Sequence, residues 1–365
     1  MACKKRYGIF KLAAIGVAAG AAVLATSCSN AKGKAWEKGT SSETIVKEAA
    51  AANAIGNWGL GNEYEILALL QKYGLEKKYV SQDFTMDSFD DGTISLASAM
   101  TYNELGLVKN SYTGALGYGD TVGIIDMNDE GVAMLEDNIF TTKAFAEANP
   151  NTTAAFIYAS MKGWDYACKN PDEAAQIVYK AGSSVSQDHQ KYMAAEVAKL
   201  VTKDTNGNSI SVDGTLYDAA LTTTLTQAKT YITLDDSSAK SKLASMTLDD
   251  FRDNTYVERS KTTTDFGTLE KTSVSIQLKW LPQAQFMGYY VAKAKGYYTE
   301  VGFTNVNIVS GGGDLAETTA VSNGSVDFGV TWVSNLIAAN AAGSSLLQIA
   351  QVYQRSGLVL VYKYK

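Results

Sequence analysis

Four large aromatic side chains stand close to the ends of short strands in the sequence. Trp280 closes an alternating strand, Trp332 and Tyr102 each follow another, and Tyr64 comes just after a glycine-containing turn. Ligands in open α/β sheets bind beyond the carboxyl ends of the strands. Rings in such positions can stack on a flat ligand, so we expect the two tryptophans on one side of it and Tyr64 or Tyr102 on the other.

Three carboxylates are candidates to hold a ligand amine near these rings: Glu63, Glu104 and Glu130. Glu63 opens a helix, where it could serve only as a cap, and Glu130 lies in a turn, where it could be merely solvated. An aminopyrimidine presents an exocyclic amine and a ring nitrogen side by side, as a donor and an acceptor. A carboxylate near stacked aromatics would suit that edge. The sequence does not choose among the three.

Polar residues and glycines beside these positions complete the candidate set. Three consecutive glycines within residues 310–314 precede a helix and allow close backbone approach, and exposed N–H groups there suit an anionic or carbonyl oxygen. A plain strand-to-helix turn would have the same pattern. The further ligand-binding candidates are Asn62, Asn103, Gln285, Gly312, Gly313 and Asp314.

Composition argues against several other kinds of site. The chain has 365 residues, a net charge of −6, three cysteines and one histidine, His189. The acidic balance disfavours nucleic acid as a partner. These few histidines and cysteines are not enough for a His- or Cys-based metal site, or for a catalytic nucleophile paired with a histidine base. We therefore expect a protein that is not an enzyme and that holds no metal.

The first 28 residues have the pattern of a bacterial lipoprotein signal. Basic residues 4–6 precede an apolar run over residues 12–25, which is too short to span a bilayer. The sequence Ala25-Thr-Ser-Cys28 follows, with Ala25 where leucine is commoner. It predicts a lipid on Cys28 that anchors the exported protein to the outer face of the cytoplasmic membrane. An ordinary signal with a chance cysteine is the alternative.

Strand and helix signals alternate after a polar segment, 29–45, that is typical of a tether. Residues 55–58 predict a strand and 64–73 predict a helix that ends at Gly74. This alternation is typical of parallel sheets with helical connections, so the predicted fold class is α/β. Further helices are predicted at 142–149, 153–169 and 172–181, and further strands at 122–125, 274–280 and 305–309.

Residues 89–105 and 321–336 share one plan. In each, a helix ends at a glycine, a short alternating strand follows, and a large aromatic comes just after the strand. Chance similarity between two strand–helix units is the alternative. A protein with two equivalent lobes around one cleft needs this correspondence.

Several motifs together resemble one family. Residues 274–298 are similar to the first strand and helix of the mature substrate-binding proteins of ABC importers, in the branch similar to fungal thiamine-pyrimidine synthases. That opening motif stands here in the last quarter of the chain, so the order indicates a circular permutation. Other segments that resemble motifs of this branch are 61–65, 100–106, 129–137, 312–314, 327–329 and 349–356.

The resemblance implies a two-lobed, hinged fold of the periplasmic-binding-protein type (type II), which closes on a flat small ligand and presents it to an ABC permease. Relatives capture hydroxymethyl- or formylamino-pyrimidine precursors of thiamine, and others take riboflavin, sulfonates or similar compounds. We expect an aromatic heterocycle, first of all a thiamine-pyrimidine precursor. Only one arginine, Arg355, is a candidate to lie near the site, which disfavours sulfonates. A rearranged remnant that binds nothing is a further alternative.

The fungal relatives are enzymes, which consume a histidine of their own chain and a bound pyridoxal phosphate and carry a cysteine-rich iron site. The position similar to that histidine is Phe286 here, and the chain has no cysteine cluster. The resemblance therefore implies binding without catalysis and without a cofactor.

The permuted order predicts how the chain divides. A swapped dimer is the alternative to a monomer in which residues 274–365 pack back onto 136–256. The predicted parts are the signal 1–28, the tether 29–45, the second lobe 46–135, a helical C-terminal part of the first lobe 136–256, a linker 257–273 and the N-terminal half of the first lobe 274–365.

Overall fold

The computed structural model describes residues 33–183, 185–313 and 316–365. Its strands form two sheets. They are β1 (Ala35–Trp36), β2 (Ile55–Asn57), β3 (Val80–Ser81), β4 (Leu96–Met100), β5 (Val122–Asp126), β6 (Asp137–Thr142), β7 (Ser273–Gln277), β8 (Asn305–Val309), β9 (Phe328–Trp332), β10 (Leu346–Gln351) and β11 (Leu358–Tyr364).

Helices connect most of these strands, and several begin at a side-chain cap or a proline, which satisfy or remove free N–H groups. Within the described ranges, no helix is both long enough and apolar enough to cross a membrane. The helices are α1 (Ser42–Ala51), α2 (Glu63–Lys72), α3 (Asp87–Asp90), α4 (Glu104–Lys109), α5 (Lys143–Ala148), α6 (Pro150–Lys169), α7 (Pro171–Lys180), α8 (Gln187–Val201), α9 (Asp218–Tyr231), α10 (Ser237–Ser245), α11 (Thr255–Thr262), α12 (Met287–Ala294), α13 (Tyr297–Glu300), α14 (Glu317–Ser322) and α15 (Val333–Ala341).

The two sheets share one strand order. The sheet of the second lobe runs β3-β2-β4-β11-β5, with β1 paired to the end of β11, and the sheet of the first lobe runs β8-β7-β9-β6-β10. In each, one strand is antiparallel to two neighbours: β11 to β4 and β5, and β6 to β9 and β10. The short β1 pairs with the end of β11 in parallel. Strands β4 and β9, which belong to the two segments with a common plan, hold the same place in their sheets.

The chain crosses between the lobes at two segments, 127–136 and 352–357, which we call the crossing segments. The first leads from β5 to β6 and the second from β10 to β11. The predicted division assigned all of 274–365 to the first lobe, but β11 lies in the second-lobe sheet between β4 and β5. Leu358–Val361 are all apolar and buried, as in a strand that is covered on both faces. Such a run predicts a strand but does not show which of the two sheets the strand joins.

The described part of the predicted tether, from residue 33 to 45, is folded onto the second lobe. Trp36 is 3% exposed, and its ring packs edge-on against Tyr362 at 5.8 Å between centroids. The Trp36 indole N–H donates to a Glu48 carboxylate oxygen at 2.7 Å. One buried tryptophan therefore orders a segment that composition alone assigns to a tether.

The segment predicted as a linker, 257–273, also packs against the body. It begins inside α11, and the side chains of Phe266 and Leu269 are buried. Glu270 accepts hydrogen bonds from the free N–H groups of Asn151 and Thr152 at the start of α6, at 3.1 and 2.9 Å. Residues 257–273 therefore connect the two predicted parts of the chain, but they are folded against the body and do not form a free linker.

Two glycines allow the long helix α6 to approach α12. A Cβ atom on Gly163 would lie 2.2 Å from the Gly288 carbonyl oxygen, and one on Gly288 would lie 2.2 Å from the Trp164 ring. This contact holds α12, and the turn before it, against the core of the first lobe. Residues 283–286, which carry site side chains, lie in that turn.

Candidate functional site

A cavity of about 120 Å³, which we call the inner cavity, lies where the lobes meet, beyond the carboxyl ends of β2, β4, β7 and β9. The second lobe contributes Trp58, Leu60, Phe84, Met100, Tyr102, Asn103 and Glu104, and the first lobe contributes Lys279, Trp280, Gln283, Gln285 and Trp332.

Aromatic rings from both lobes form its walls. Trp332 is buried and Trp280 is half-buried, and Trp280 contacts Phe84 across the cleft at 5.1 Å between ring centroids. Tyr102 is buried and packs edge-on against Tyr353 at 5.9 Å. The cavity can therefore hold a flat apolar ring between surfaces that belong to different lobes.

Glu104 and Asn103 place an acceptor beside a donor in the inner cavity. The Asn103 Nδ2 amide donates to Glu104 Oε1 at 2.7 Å, and the Met100 N–H donates to Glu104 Oε2 at 2.9 Å. Burial raises the pKa of Glu104, and these hydrogen bonds act in the opposite direction. The second proton of the Asn103 amide and a second lone pair on Glu104 Oε1 remain beside each other for a ligand.

A chain of hydrogen bonds fixes two glutamines on the first-lobe side. Gln285 Nε2 donates to Asp137 Oδ2 at 3.0 Å, and Gln283 Nε2 donates to Gln285 Oε1 at 2.8 Å. Burial raises the pKa of Asp137 to about 7, while the bond from Gln285 and the charge of Lys279 lower it. When Asp137 is ionised it only accepts, so the chain leaves Gln283 Oε1 as an acceptor.

Lys279 brings a buried positive charge to the site. Its Nζ atom lies 4.5 Å from the centre of the Trp332 ring and 3.5 Å from Glu317 Oε1. The lysine is therefore shared between a cation–π contact and an ion pair, and the net charge of the pair is zero.

A larger and more open cavity of about 600 Å³, the outer cavity, adjoins the inner one and shares Leu60, Lys279 and Trp280 with it. Glu63 lies on its wall, and one Glu63 carboxylate oxygen accepts from the Gly61 N–H at 2.7 Å. The outer cavity is further lined by Gly61, Tyr64, Leu234, Gly312, Gly313, Ala316, Glu317, Thr318, Asn335, Ala338, Ala339 and Ala342.

The lobes are closed over the inner cavity. On one side, the Ser334 hydroxyl donates to the Gly61 carbonyl at 2.7 Å and Asn335 Nδ2 donates to the Leu60 carbonyl at 3.1 Å. On another side, the Tyr192 hydroxyl donates to the Thr101 carbonyl at 2.7 Å.

The structure brings most of the predicted site residues to these two cavities. Trp280, Trp332, Tyr102, Asn103, Glu104 and Gln285 line the inner cavity, and Glu63, Tyr64, Gly312 and Gly313 line the outer one. Asp314 lies outside the described residues.

Three predicted residues lie elsewhere. Glu130 forms an ion pair with Lys72 at 2.6 Å and accepts from the Tyr73 hydroxyl, on the surface of the second lobe. Asn62 is buried behind the cavity, where its Nδ2 atom lies 3.7 Å from Met100 Sδ. Arg355 lies near Asp126, at 3.6 Å between charged atoms. None of the three lines either cavity.

Sequence reasoning missed several residues of the inner cavity. Lys279 had no signal, because it falls on the polar face of the alternating strand predicted at 274–280, where a lysine is usually solvated. Phe84 had none, because it belongs to a loop and is 51% exposed. The other missed residues are Trp58, Leu60, Met100 and Gln283.

Two α/β lobes that close over a ring-sized cavity define a protein that binds small molecules, and the fold is consistent with the periplasmic-binding-protein type. The family model described as NMT1/THI5 like matches residues 51–174 and 283–365, more than half of the chain, and the chain belongs to that family. The family implies a small-molecule ligand, typically in combination with an ABC permease. No curated protein and no solved structure matches the chain. Within the described ranges, no group of three or more histidine, cysteine, aspartate or glutamate residues could hold a metal ion.

Proposed function

We propose that the protein is the extracytoplasmic substrate-binding lipoprotein of an ABC importer and that it captures a thiamine-pyrimidine precursor of the hydroxymethyl- or formylamino-pyrimidine type. The family and the aromatic inner cavity support a small flat ligand. The pattern at the chain's start supports export and a lipid on Cys28. The protein binds its ligand without chemical change.

One observation carries the choice of an aminopyrimidine. Glu104 Oε1 and Asn103 Nδ2 are hydrogen-bonded to each other at 2.7 Å, and they place an acceptor beside a donor, each with one position left for a ligand. The amine of an aminopyrimidine would donate to Glu104, and the adjacent ring nitrogen would accept from Asn103. The aromatic walls would cover the two faces of the ring.

The size and charge of the inner cavity disfavour the alternative ligands. Its volume is about 120 Å³. An apolar cavity of about 150 Å³ in a protein interior can hold one benzene ring, so the inner cavity has the size for a single ring. Riboflavin, with three fused rings, would have to extend into the outer cavity. A sulfonate would need free positive charge, but Lys279 is the only cation among the described lining residues and it is paired with Glu317.

We further propose that the chain is a circular permutant of its family's order. The common strand order of the two sheets supports this, because both lobes are complete although the chain enters the second lobe first. The position of Lys365 also supports it, since its N–H donates to the Trp36 carbonyl at 3.0 Å. The two ends of the described body are therefore adjacent.

A ligand screen tests the proposed ligand class. We expect 4-amino-5-hydroxymethyl-2-methylpyrimidine to raise the melting temperature more than riboflavin or a small alkyl sulfonate. At about 100 times its Kd, a true ligand stabilises the folded state by about 2.7 kcal/mol. A larger shift with the sulfonate would contradict the pyrimidine proposal.

Replacing the acceptor tests the proposed contact. We expect Glu104→Gln to weaken pyrimidine binding by about 1.5–3 kcal/mol in calorimetry, because the amide would bring a donor to the ligand amine. Glu130→Gln is the matched control, because Glu130 lies outside both cavities, and its affinity should equal the wild type's. Equal losses in the two variants would refute the role of Glu104.

A further inference from the structure

The only histidine of the chain connects the two lobes at the inner cavity. His189 lies on α8 and is 3% exposed. Its Nε2 atom is 2.8 Å from Asn103 Oδ1, and its Nδ1 atom contacts the Tyr112 hydroxyl. Asn103 and Tyr112 belong to the second lobe.

Helix α8 itself belongs to the first lobe. It packs against α6 and α7. The side-chain oxygen of Gln190 on α8 accepts from the Ala284 N–H at 2.7 Å, in the turn that carries Gln283 and Gln285. The bond from His189 to Asn103 therefore crosses the cleft.

The hydrogen-bond chain fixes the positions of the protons. Asn103 directs its Nδ2 amide to the Glu104 carboxylate, so its Oδ1 atom faces His189 and must accept. His189 therefore carries its proton on Nε2, and the bare Nδ1 accepts from Tyr112. Burial lowers the pKa of His189 to about 4, which agrees with a neutral ring at neutral pH.

A neighbouring contact holds α8 in the same place. The Tyr192 ring stacks on His189 at 6.0 Å between centroids, and its hydroxyl bonds the Thr101 carbonyl. A Cβ atom on Gly106 would lie 2.2 Å from the Tyr192 ring, so the glycine gives α8 room to reach the segment of residues 101–112, which contains α4. The segment that carries Tyr102, Asn103 and Glu104 is thus bonded to the opposite lobe.

We propose that His189 is a positioning residue that orients the Asn103 amide for ligand recognition and does so only when the lobes are closed. Opening the cleft breaks the bond from His189, so that only the bond to Glu104 within the second lobe still holds the Asn103 amide. Recognition of the amine edge and closure of the lobes are then one event. The inference rests on the proposed function for the identity of the ligand, but the contact across the cleft does not.

Two substitutions separate the two ring nitrogens. The amide nitrogen of His189→Gln can reach the position of Nε2 and keep the bond to Asn103, whereas the shorter His189→Asn reaches only the position of Nδ1. We expect His189→Gln to bind 4-amino-5-hydroxymethyl-2-methylpyrimidine nearly as the wild type does, and His189→Asn to bind about tenfold more weakly, the loss of one hydrogen bond.

Discrimination between ligands distinguishes positioning from a structural role. The probes are the 4-aminopyrimidine and the same compound without its amino group. Discrimination is the Kd of the compound without the amino group divided by the Kd of the 4-aminopyrimidine. If His189 orients Asn103, this ratio falls in His189→Asn and is kept in His189→Gln. Equal weakening of both compounds in His189→Asn, with the wild-type ratio kept, would overturn the proposal.

Hydrogen exchange without ligand separates this inference from the proposed function. We expect amides of residues 101–112 to exchange faster in His189→Asn than in His189→Gln or the wild type. If the wild-type protein fails to bind the pyrimidine, the ligand assignment is wrong, and the exchange rates alone decide the role of His189. Equal exchange in all three proteins would refute that role.

Discussion

At the scale of single residues, Trp280 and Tyr102 face one cavity from different surroundings. Trp280 is half-buried at the cleft and touches Phe84 of the other lobe. Tyr102 is 2% exposed and packs on Tyr353 in the continuous core. A ring at a cleft contributes chiefly to binding, and a ring in a core contributes chiefly to stability.

Truncation of Trp280 and truncation of Tyr102 should therefore have different effects. We expect Trp280→Ala to weaken pyrimidine binding by roughly 1–3 kcal/mol with little change in the melting temperature of the free protein. Tyr102→Ala should cost about 3 kcal/mol or more of folding stability. Calorimetric titration and thermal unfolding of the free protein measure the two effects.

Tyr102→Phe is the control for this prediction, because it keeps the ring and removes only the hydroxyl. It should restore most of the stability that Tyr102→Ala loses. If Trp280→Ala instead lowers the melting temperature as much as Tyr102→Ala, the Trp280 ring is part of the core and not of the binding surface.

The sequence could name the carboxylates but could not rank them. Glu63, Glu104 and Glu130 all follow strand or turn signals, and their environments differ through contacts that local patterns do not contain. Glu130 meets Lys72, which lies 58 residues away in the chain. Packing between distant segments decides which carboxylate becomes buried beside the aromatic rings.

At the scale of elements, α2 is bonded to both crossing segments through one buried carboxyl group. Glu65 Oε1 accepts from the Met134 N–H at 2.7 Å, and the Ser356 hydroxyl lies 3.2 Å from Glu65 Oε2. The same hydroxyl lies 3.0 Å from Glu136 Oε1. Ser356 has one proton for two carboxyl groups, so protonation of one carboxyl group satisfies the cluster.

This cluster predicts that stability falls as the pH rises. Burial raises the pKa of Glu65 to about 8 and the pKa of Glu136 well above its usual value. The folded state then holds more protons than the unfolded chain between about pH 5 and 8, so the free energy of unfolding decreases across that window. Asp137, with a pKa raised to about 7 by burial, acts in the same direction.

Glu65→Gln isolates the contribution of one group. Its amide can accept from Met134 and donate to Ser356 without titrating, so the variant should be more stable than the wild type at pH 8, by about 1 kcal/mol or more. Thermal unfolding at pH 5 and 8 measures the slope. Glu43→Gln, at an exposed ion pair, is the control and should keep the wild-type slope. An unchanged slope in Glu65→Gln would contradict the assignment.

Elements with strong local signals agree with their predictions. The predicted helix 64–73 is α2, the predicted strand 305–309 is β8, and the predicted helices 153–169 and 172–181 are α6 and α7, each of which begins at the proline before it. The pairing of β11 with β4 and β5, and of β1 with β11, was not predictable, because register depends on segments more than two hundred residues apart.

At the scale of the whole molecule, the two lobes form an equivalent pair that the chain builds by an exchange of strands. Each sheet receives its antiparallel strand directly after the chain leaves the other lobe. The second-lobe sheet is therefore complete only after the chain has crossed between the lobes twice. The order in which the chain visits the lobes can change without changing this arrangement, provided that the new breaks fall in exposed turns and the old ends can be joined.

The structure shows where such a change can be made. Thr262, the exposed last residue of α11, is followed by an exposed turn that includes Thr264 and precedes the buried Phe266. Lys365 lies beside Trp36, and about six added residues can span the return to residue 33, since an extended residue covers about 3.3 Å. A chain ordered 263–365, linker, 33–262 would thus keep every strand, and it would begin with the segment that resembles the family's opening.

We expect this reordered chain to fold as a monomer and to bind the pyrimidine with a Kd within about threefold of the natural order, because all the contacts of the closed cleft are preserved. Light scattering and calorimetric titration of both proteins at equal concentrations measure this. If the natural order exists only as a dimer with exchanged lobes, the contacts at Trp36 and Lys365 are made between chains. If only the reordered chain binds, the natural order is a rearranged remnant and not a working permutant.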